Sequence, residues 1–502
     1  MSRVTFPSLI RRRVLVSYAA VISLVLGIPS IRGDSIVALG DSLTAEYEYL
    51  GSDNSNSYPI QGFSVEATDY AKVTDPAGEW ESMSWVEVLG RLRGFFFEFG
   101  EWRNLRSPWG PPRLSGYERN WAVPGAKASQ YEDFMTASLG SNPLFYAFRL
   151  TLDSQLRART RRVVIWLGAN DIRSKYGTIY DEDNDAARNS VIDTLKDGLI
   201  DDLREIIRHV QDQNSDIEIV VGNLPDLGAA PDIIAGHTNP EKRLRVTLAT
   251  EEINADIAEL VASENVALAD IYASTKGLVD GEPFYYGAVQ FDPGLDDDND
   301  PHALFSRDGF HPNTALQIEI ARVFLKAFNT NYDARIPQIT HAEALNLLKI
   351  NPREPYRDWI TNQEAVVPEA LRGLLKDPDL DRMPNLMEYA FNTAPAVSDA
   401  GNLPFALTGP VPGFTGDRSV TYRSSAVERR EIDIAVQYKV GTKWIRVPLD
   451  RVIENGDGTF TAAVPPTGNP VTPVRIKVIL RPPQGSLNTL ATALKIETTA
   501  VE

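Results

Sequence analysis

Cysteine is absent from the 502 residues, which excludes disulfides, thiolate metal sites and a cysteine nucleophile together. Histidine is scarce, with five in the chain, so a histidine-dependent reaction has few candidates. Basic residues are outnumbered, 50 Lys and Arg against 68 Asp and Glu, for a formal charge of −18. Such a field disfavours nucleic acid and anionic membrane surfaces, which ask for basic patches, and a solvated acidic surface is enough to explain it. No internal repeat of useful length and no long low-complexity tract is present, and the 43% apolar content supports two or three ordinary cores. Stability must come from burial.

The one long uncharged apolar run is short. It covers 15 residues, 14–28, after Arg11, Arg12 and Arg13 and before Pro29. A membrane span needs about 20, so 1–33 reads as a secretory leader, with an uncleaved anchor as the alternative. Five arginines and no acidic residue lie in 1–33, so cleavage after Gly33 takes the charge from −18 to −23. The expectation is a bacterial protein that is secreted, periplasmic or at the cell envelope, with no stable membrane span in the processed chain.

Beyond the leader, Val/Ile/Leu-rich runs at 35–40, 163–168, 217–221 and 266–270 read as buried parallel strands. Between them, Val191, Leu195, Leu199, Leu203, Ile206, Ile207 and Val210 recur at helical spacing, as do apolar residues in 247–261 and 313–328. Strands alternating with helices imply a right-handed parallel α/β sheet with its site at the strand carboxyl ends. From about residue 336, Pro337, Pro352, Pro355 and Pro368 break up short helical stretches, which reads as a helical connector over 336–400. From 401 to 502, alternating runs at 419–423, 431–440, 443–449, 460–464 and 474–480, separated by Gly, Pro and Asn, suggest a small all-β accessory domain of sandwich type.

The run Ser35-Ile36-Val37-Ala38-Leu39-Gly40-Asp41-Ser42-Leu43 puts a hydroxyl just past an apolar strand. A serine alcohol is protonated at neutral pH and needs a base, and the base needs an orienting group. Asp308-Gly309-Phe310-His311 offers both. A serine there is otherwise a helix N-cap, and Asp308 otherwise a cap on the helix that follows, though Asn313 and Thr314 are nearer. Among the other histidines, His209 sits in a helical pattern, His237 and His341 lack supporting neighbours, and His302 beside Asp300 is the rival base.

Gly40-Asp41-Ser42-Leu43, Asn120-Trp121-Ala122-Val123-Pro124-Gly125, Gly168-Ala169-Asn170-Asp171 and Asp308-Gly309-Phe310-His311 stand in the order of the four blocks of the GDSL, or SGNH, hydrolase family, which residues 34–335 resemble. The resemblance implies a three-layer, flavodoxin-like α/β hydrolase domain. It implies Ser42 as nucleophile, His311 as base and Asp308 as its partner. It also implies an oxyanion hole from the backbone N–H of Ser42 and of Gly125 and the side-chain amide of Asn170, with Asp41 and Asp171 in structural hydrogen bonds. No cofactor is required by such chemistry. The ester is left open among acetylated polysaccharide, lipid and small acyl esters, with a tilt toward carbohydrate. A non-catalytic carbohydrate-binding or surface protein on a retained hydrolase fold, and an acyltransferase using the same residues, are the alternatives.

Two features fall outside these blocks. Fifteen aromatics lie in the 76 residues from Glu46 to Trp121, including Trp80, Trp85, Trp102, Trp109 and Phe95-Phe96-Phe97, and suit an acyl or sugar pocket as well as core packing. Asp377, Asp379, Asp381, Asn385 and Glu388 have the spacing of an EF-hand-like calcium loop, but Arg382 stands where that loop wants glycine. A structural calcium and a capped acidic helix start fit equally. The acidic stretch 292–300 reads as a solvated loop.

Overall fold

Four short apolar runs become one sheet. β1 (Ser35–Gly40), β2 (Thr160–Trp166), β3 (Glu218–Gly222) and β4 (Ala267–Ala269) lie in that order, each parallel to its neighbour. Their side chains are buried almost throughout, as strands covered by helices on both faces require. The computed structural model describes residues 34–47, 82–104, 115–297, 300–362, 367–398, 404–416, 418–424, 431–467, 472–480 and 494–499. The expected leader and the aromatics Trp80 and Trp109 lie outside the described residues.

β2 starts three residues earlier than its apolar run. The reason is Arg162, 1% exposed, whose guanidinium pairs with Asp34 at 3.0 Å and Glu218 at 2.9 Å and donates to the Phe96 carbonyl at 2.9 Å. A buried charge paired with two carboxylates and hydrogen-bonded to a carbonyl can occupy a strand that an apolar count passes over. Gly168, expected as strand, instead turns the chain at φ +110° into a short helix, α1 (Ala169–Arg173). The long periodic stretches form α2 (Asp185–Gln213), α3 (Pro240–Ser263) and α4 (Thr314–Tyr332), each extending past the apolar stripe to a polar cap.

Several strands were not legible, Trp102–Asn104, Ser115–Tyr117, Val452–Glu454 and Leu494–Thr499 among them. Phe284–Tyr286, Val289–Asp296 and Ala303–Phe305 form a three-stranded sheet, so the acidic stretch from Asp292 to Asp296 is a strand, not a loop. Phe405–Thr408, an edge strand with its side chains mostly exposed, shows no alternation to read.

The C-terminal region has two four-stranded antiparallel sheets. One runs Phe405–Thr408, Ser419–Arg423, Thr459–Ala463, Val452–Glu454; the other runs Lys443–Arg446, Ile432–Val440, Val474–Leu480, Leu494–Thr499. Val420, Tyr422 and Ala462 of the first share a core with Ile434, Val436, Ile476 and Val478 of the second, as a sandwich requires. The connector divides between cores: Ile336, Ile339, Leu345, Leu348 and Ile350 pack with the parallel sheet, while Tyr356, Leu386, Tyr389 and Phe391 pack with the sandwich. Arg93 ties the first part down, donating to the carbonyls of Pro337 and Gln338 and to Glu343 at 2.6–3.0 Å. No helix among the described residues is long and apolar enough to cross a membrane.

Candidate functional site

β1 ends at Gly40, and the next residue shapes the turn. Asp41 accepts the Leu43 N–H on Oδ1 at 2.9 Å, and its carbonyl accepts those of Thr44 and Ala45 at 3.1 and 3.0 Å. These bonds lift Ser42 above the strand end. Its Oγ lies 2.7 Å from His311 Nε2, and His311 Nδ1 lies 2.7 Å from Asp308 Oδ2. The Asp308 carboxylate can only accept, so Nδ1 carries the imidazole proton and Nε2 is left to accept from the serine. Asp308 Oδ1 also takes the backbone N–H groups of Phe310 and His311 at 3.1 and 3.0 Å. Asn313, not Asp308, caps α4, accepting from Thr314 N–H at 2.8 Å.

Serine and histidine are held together by residues the motif reading did not single out. The Tyr47 hydroxyl donates to the Pro312 carbonyl, and Gln317 Nε2 donates to Tyr47 Oη at 2.9 Å and to the Leu43 carbonyl at 3.4 Å. Gln317 Oε1 accepts from Trp85 N–H at 3.0 Å. Gln317 is fully buried. Its sequence signal was there: a glutamine on the apolar stripe of α4, in register with Ile320 and Phe324, is a polar group that must find partners.

The second block runs beside β1. Trp121 N–H donates to Ala38 O and Val123 N–H to Gly40 O, both at 2.8 Å, which carries Pro124 and Gly125 to the strand end. Tyr131, also missed, hydrogen-bonds Gly40 O at 2.8 Å and Trp121 O at 2.5 Å and locks the two segments. Gly125 takes φ +79° and is exposed, a conformation that suits a residue without Cβ. Asn170, at the start of α1, donates from Nδ2 to Asp41 Oδ2 at 3.0 Å and to Ala126 O at 3.1 Å. Ser42, Gly125 and Asn170 thus come from three segments that Asp41 and Asn170 stitch together.

The carboxylates around this site are unusual. Burial, and then the charge of Asp171, pushes Asp41 up to about 7; burial likewise raises Asp171. Behind the serine turn Glu87, which accepts from Tyr47 and Ser84 N–H at 2.9 and 2.8 Å, is pushed by burial to about 7. A carboxyl whose folded pKa exceeds its unfolded one binds its proton over a wider range when folded. Asp41 and Glu87 therefore lower stability as pH rises from about 4 to about 7. Glu87→Gln is expected to flatten that fall, measured as the melting midpoint against pH; an unchanged slope would show that Glu87 ionises normally.

The remaining histidines have other partners. His209 Nε2 pairs with Asp153 at 2.8 Å, His237 packs on Tyr176 and Tyr180, and His341 accepts from Gly287 N–H at 3.0 Å. His302 bridges Asp300 at 3.0 Å and Glu354 at 2.9 Å, a link between a loop of the α/β region and the connector. Of the described aromatics, Trp85, Phe97, Phe99 and Trp121 are core residues, which answers the pocket reading for them; Phe95 and Trp102 are exposed. Asp377, Asp379 and Asp381 do converge, with one ligand oxygen of each within 4.8 Å of the others, and Arg382 makes the turn at φ +75° without glycine. Glu388 is not in that group, and Asn385 spends its amide N–H groups on the carbonyls of Leu371 and Gly373.

Residues 102–317 match the model of a family described as GDSL-like Lipase/Acylhydrolase. The match takes in Gly125, Asn170, Asp308 and His311 and begins after Ser42, whose place beside His311 comes from the geometry above. Similar solved structures include an extracellular lipase from Streptomyces rimosus, 16% identical, covering 60% of this chain and 100% of that one at TM-score 0.34. A phospholipase A1 from Streptomyces albidoflavus is 18% identical over 60% of this chain and 99% of that one, at TM-score 0.32. A family 3 carbohydrate esterase from Clostridium thermocellum is 14% identical over 61% of this chain and 100% of that one, at TM-score 0.30. No curated protein matches the chain significantly.

Proposed function

We propose, from the match of residues 102–317 to the GDSL-like lipase/acylhydrolase family model, an exported serine esterase that cleaves short acyl esters, of the kind O-acetyl groups form on carbohydrate. The observation that carries it is the pair of 2.7 Å contacts from Ser42 Oγ to His311 Nε2 and from His311 Nδ1 to Asp308. In the proposed cycle Ser42 Oγ attacks the ester carbonyl as its proton passes to His311 Nε2. The imidazolium, held by Asp308, returns that proton to the leaving alcohol, and an acyl-enzyme is left on Ser42. Water then attacks with His311 again as base, and Ser42 recovers its proton. The oxygen that becomes anionic in each half is met by donors from Ser42 N–H, Gly125 N–H and Asn170, each worth about 10²–10³ in rate. No metal enters these steps.

Acyl size is supported by the room beside the triad. A cavity of about 30 Å³ is lined by Leu43, Trp166, Leu227, Phe310, Pro312 and Leu316, with chain neighbours of Ser42 and His311 among them. By the usual measure that space admits roughly two water-sized groups. So small a cavity near the triad favours a short acyl group, though Ser42, Asp308 and His311 do not themselves line it. Export rests on the basic, apolar leader at 1–33. For the domains, the two cores favour a division between Ile350 and Tyr356 over one at residue 335.

Hydrolysis of p-nitrophenyl esters from acetate to octanoate, with acetylated xylan in parallel, tests the reading. The expected result is a kcat/KM for acetate about 10²-fold above that for octanoate, with acetate released from the xylan. A profile rising with chain length would replace the carbohydrate-ester reading with a lipase one.

A further inference from the structure

We propose that Asp41 is a positioning residue that fixes which end of the Asn170 side-chain amide faces the reaction site, an inference that rests on the esterase reading. Asp41 is 1% exposed and divides its carboxylate between two segments. Oδ1 holds the Leu43 N–H at 2.9 Å, within the turn that carries Ser42, and Oδ2 holds Asn170 Nδ2 at 3.0 Å. A second acceptor, the Ala126 carbonyl next to Gly125, meets the same nitrogen at 3.1 Å.

An amide has a donor end and an acceptor end of nearly the same shape, so sterics alone do not decide between them. Once ionised, above the value of about 7 to which burial pushes it, the Asp41 carboxylate decides, because it only accepts. Asn170 must present nitrogen to Asp41, and both hydrogens of that nitrogen are already engaged. An oxyanion formed above Ser42 therefore has to share one of them, and the direction of the shared hydrogen is set by where Asp41 holds it. The same carboxylate shapes the serine turn, so nucleophile and amide donor keep one spacing. Other charged or titratable groups surround this pair: Asp171 on α1, whose Oδ2 takes Ala128 N–H at 3.2 Å, Lys127 near Asp171, Tyr131 on the Gly40 carbonyl, and His311 beyond Ser42.

Asp41→Asn is nearly isosteric and separates the two tasks. Its oxygen can still accept from Leu43 N–H, which leaves an NH₂ against Asn170 and forces that amide to turn its oxygen inward. The expected result with p-nitrophenyl acetate is a tenfold to thirtyfold fall in kcat with KM within about twofold, against about 10²-fold for Asn170→Ala. The double variant should be no slower than Asn170→Ala alone, since residues acting through one contact are not additive. Losses that multiply, or a change confined to KM, overturn the proposal.

Should Asp41→Asn not fold, Asn170→Asp carries the test. Two carboxylates then face each other and must share a proton, so its kcat relative to Asn170→Ala should recover as pH falls; no recovery overturns the proposal. If the wild-type protein hydrolyses no ester, the esterase reading fails, and the amide is read directly. Displacement of the Asn170 side-chain NH₂ resonances in Asp41→Asn would then support the positioning role, and unmoved resonances would end it.

Discussion

Ser42→Ala should lower kcat on p-nitrophenyl acetate by about 10⁵–10⁶-fold while leaving KM and the melting midpoint almost unchanged. The size follows from what is deleted. Ser42 Oγ is the atom that would form the acyl bond, and its contact with His311 Nε2 at 2.7 Å is the step that makes an alcohol nucleophilic. Fold and oxyanion donors survive the change, because the Ser42 N–H is backbone and the turn is held by Asp41. A residue that merely capped a helix would show the opposite pattern, a loss of about 1 kcal/mol in stability with hydrolysis retained. Steady-state rates beside a urea unfolding curve separate the two, and hydrolysis within tenfold of wild type would remove Ser42 from the mechanism.

Gly40→Ala should be damaging in both rate and stability without touching a reacting atom. A Cβ at Gly40 would lie 2.4 Å from Thr44 Oγ1 and 2.6 Å from Thr44 Cβ, closer than real atoms sit. Thr44 cannot step aside: it is fully buried, its N–H is bonded to the Asp41 carbonyl, and its own carbonyl takes Asn120 Nδ2 at 3.0 Å. The serine turn must shift instead. A misplacement of roughly 1 Å at a reacting group costs about 10² in rate, and overpacking a full core costs about 1–3 kcal/mol. Both losses are expected together, read as kcat and as the urea midpoint. Thr44→Gly in the same chain removes the colliding atoms and should restore part of each. If Gly40→Ala alone keeps full kcat, the turn is freer than the contacts imply.

Much of this site could be read from the chain before any geometry. The blocks carrying Ser42 and Asn170 follow strands β1 and β2, whose ends a parallel sheet delivers to one edge. What stayed hidden is of two kinds. A strand start such as Arg162 is charged, and its burial depends on Asp34 and Glu218, partners far along the chain. The residues that bring Ser42 to His311, Tyr47 and Gln317, act through contacts across some 270 positions, which no local pattern encodes.

The close lodging of Asp308 and His311 in one turn has a mechanical meaning. Since Asp308 binds the imidazole and the backbone N–H of His311 alike, base and orienter travel as one rigid part. The reacting joint between distant pieces of chain is the contact between Ser42 and His311, braced by Tyr47 and Gln317. Any motion that admits a bulky ester can open that joint and reseat it without disturbing the tautomer, so the base arrives ready each time the site closes.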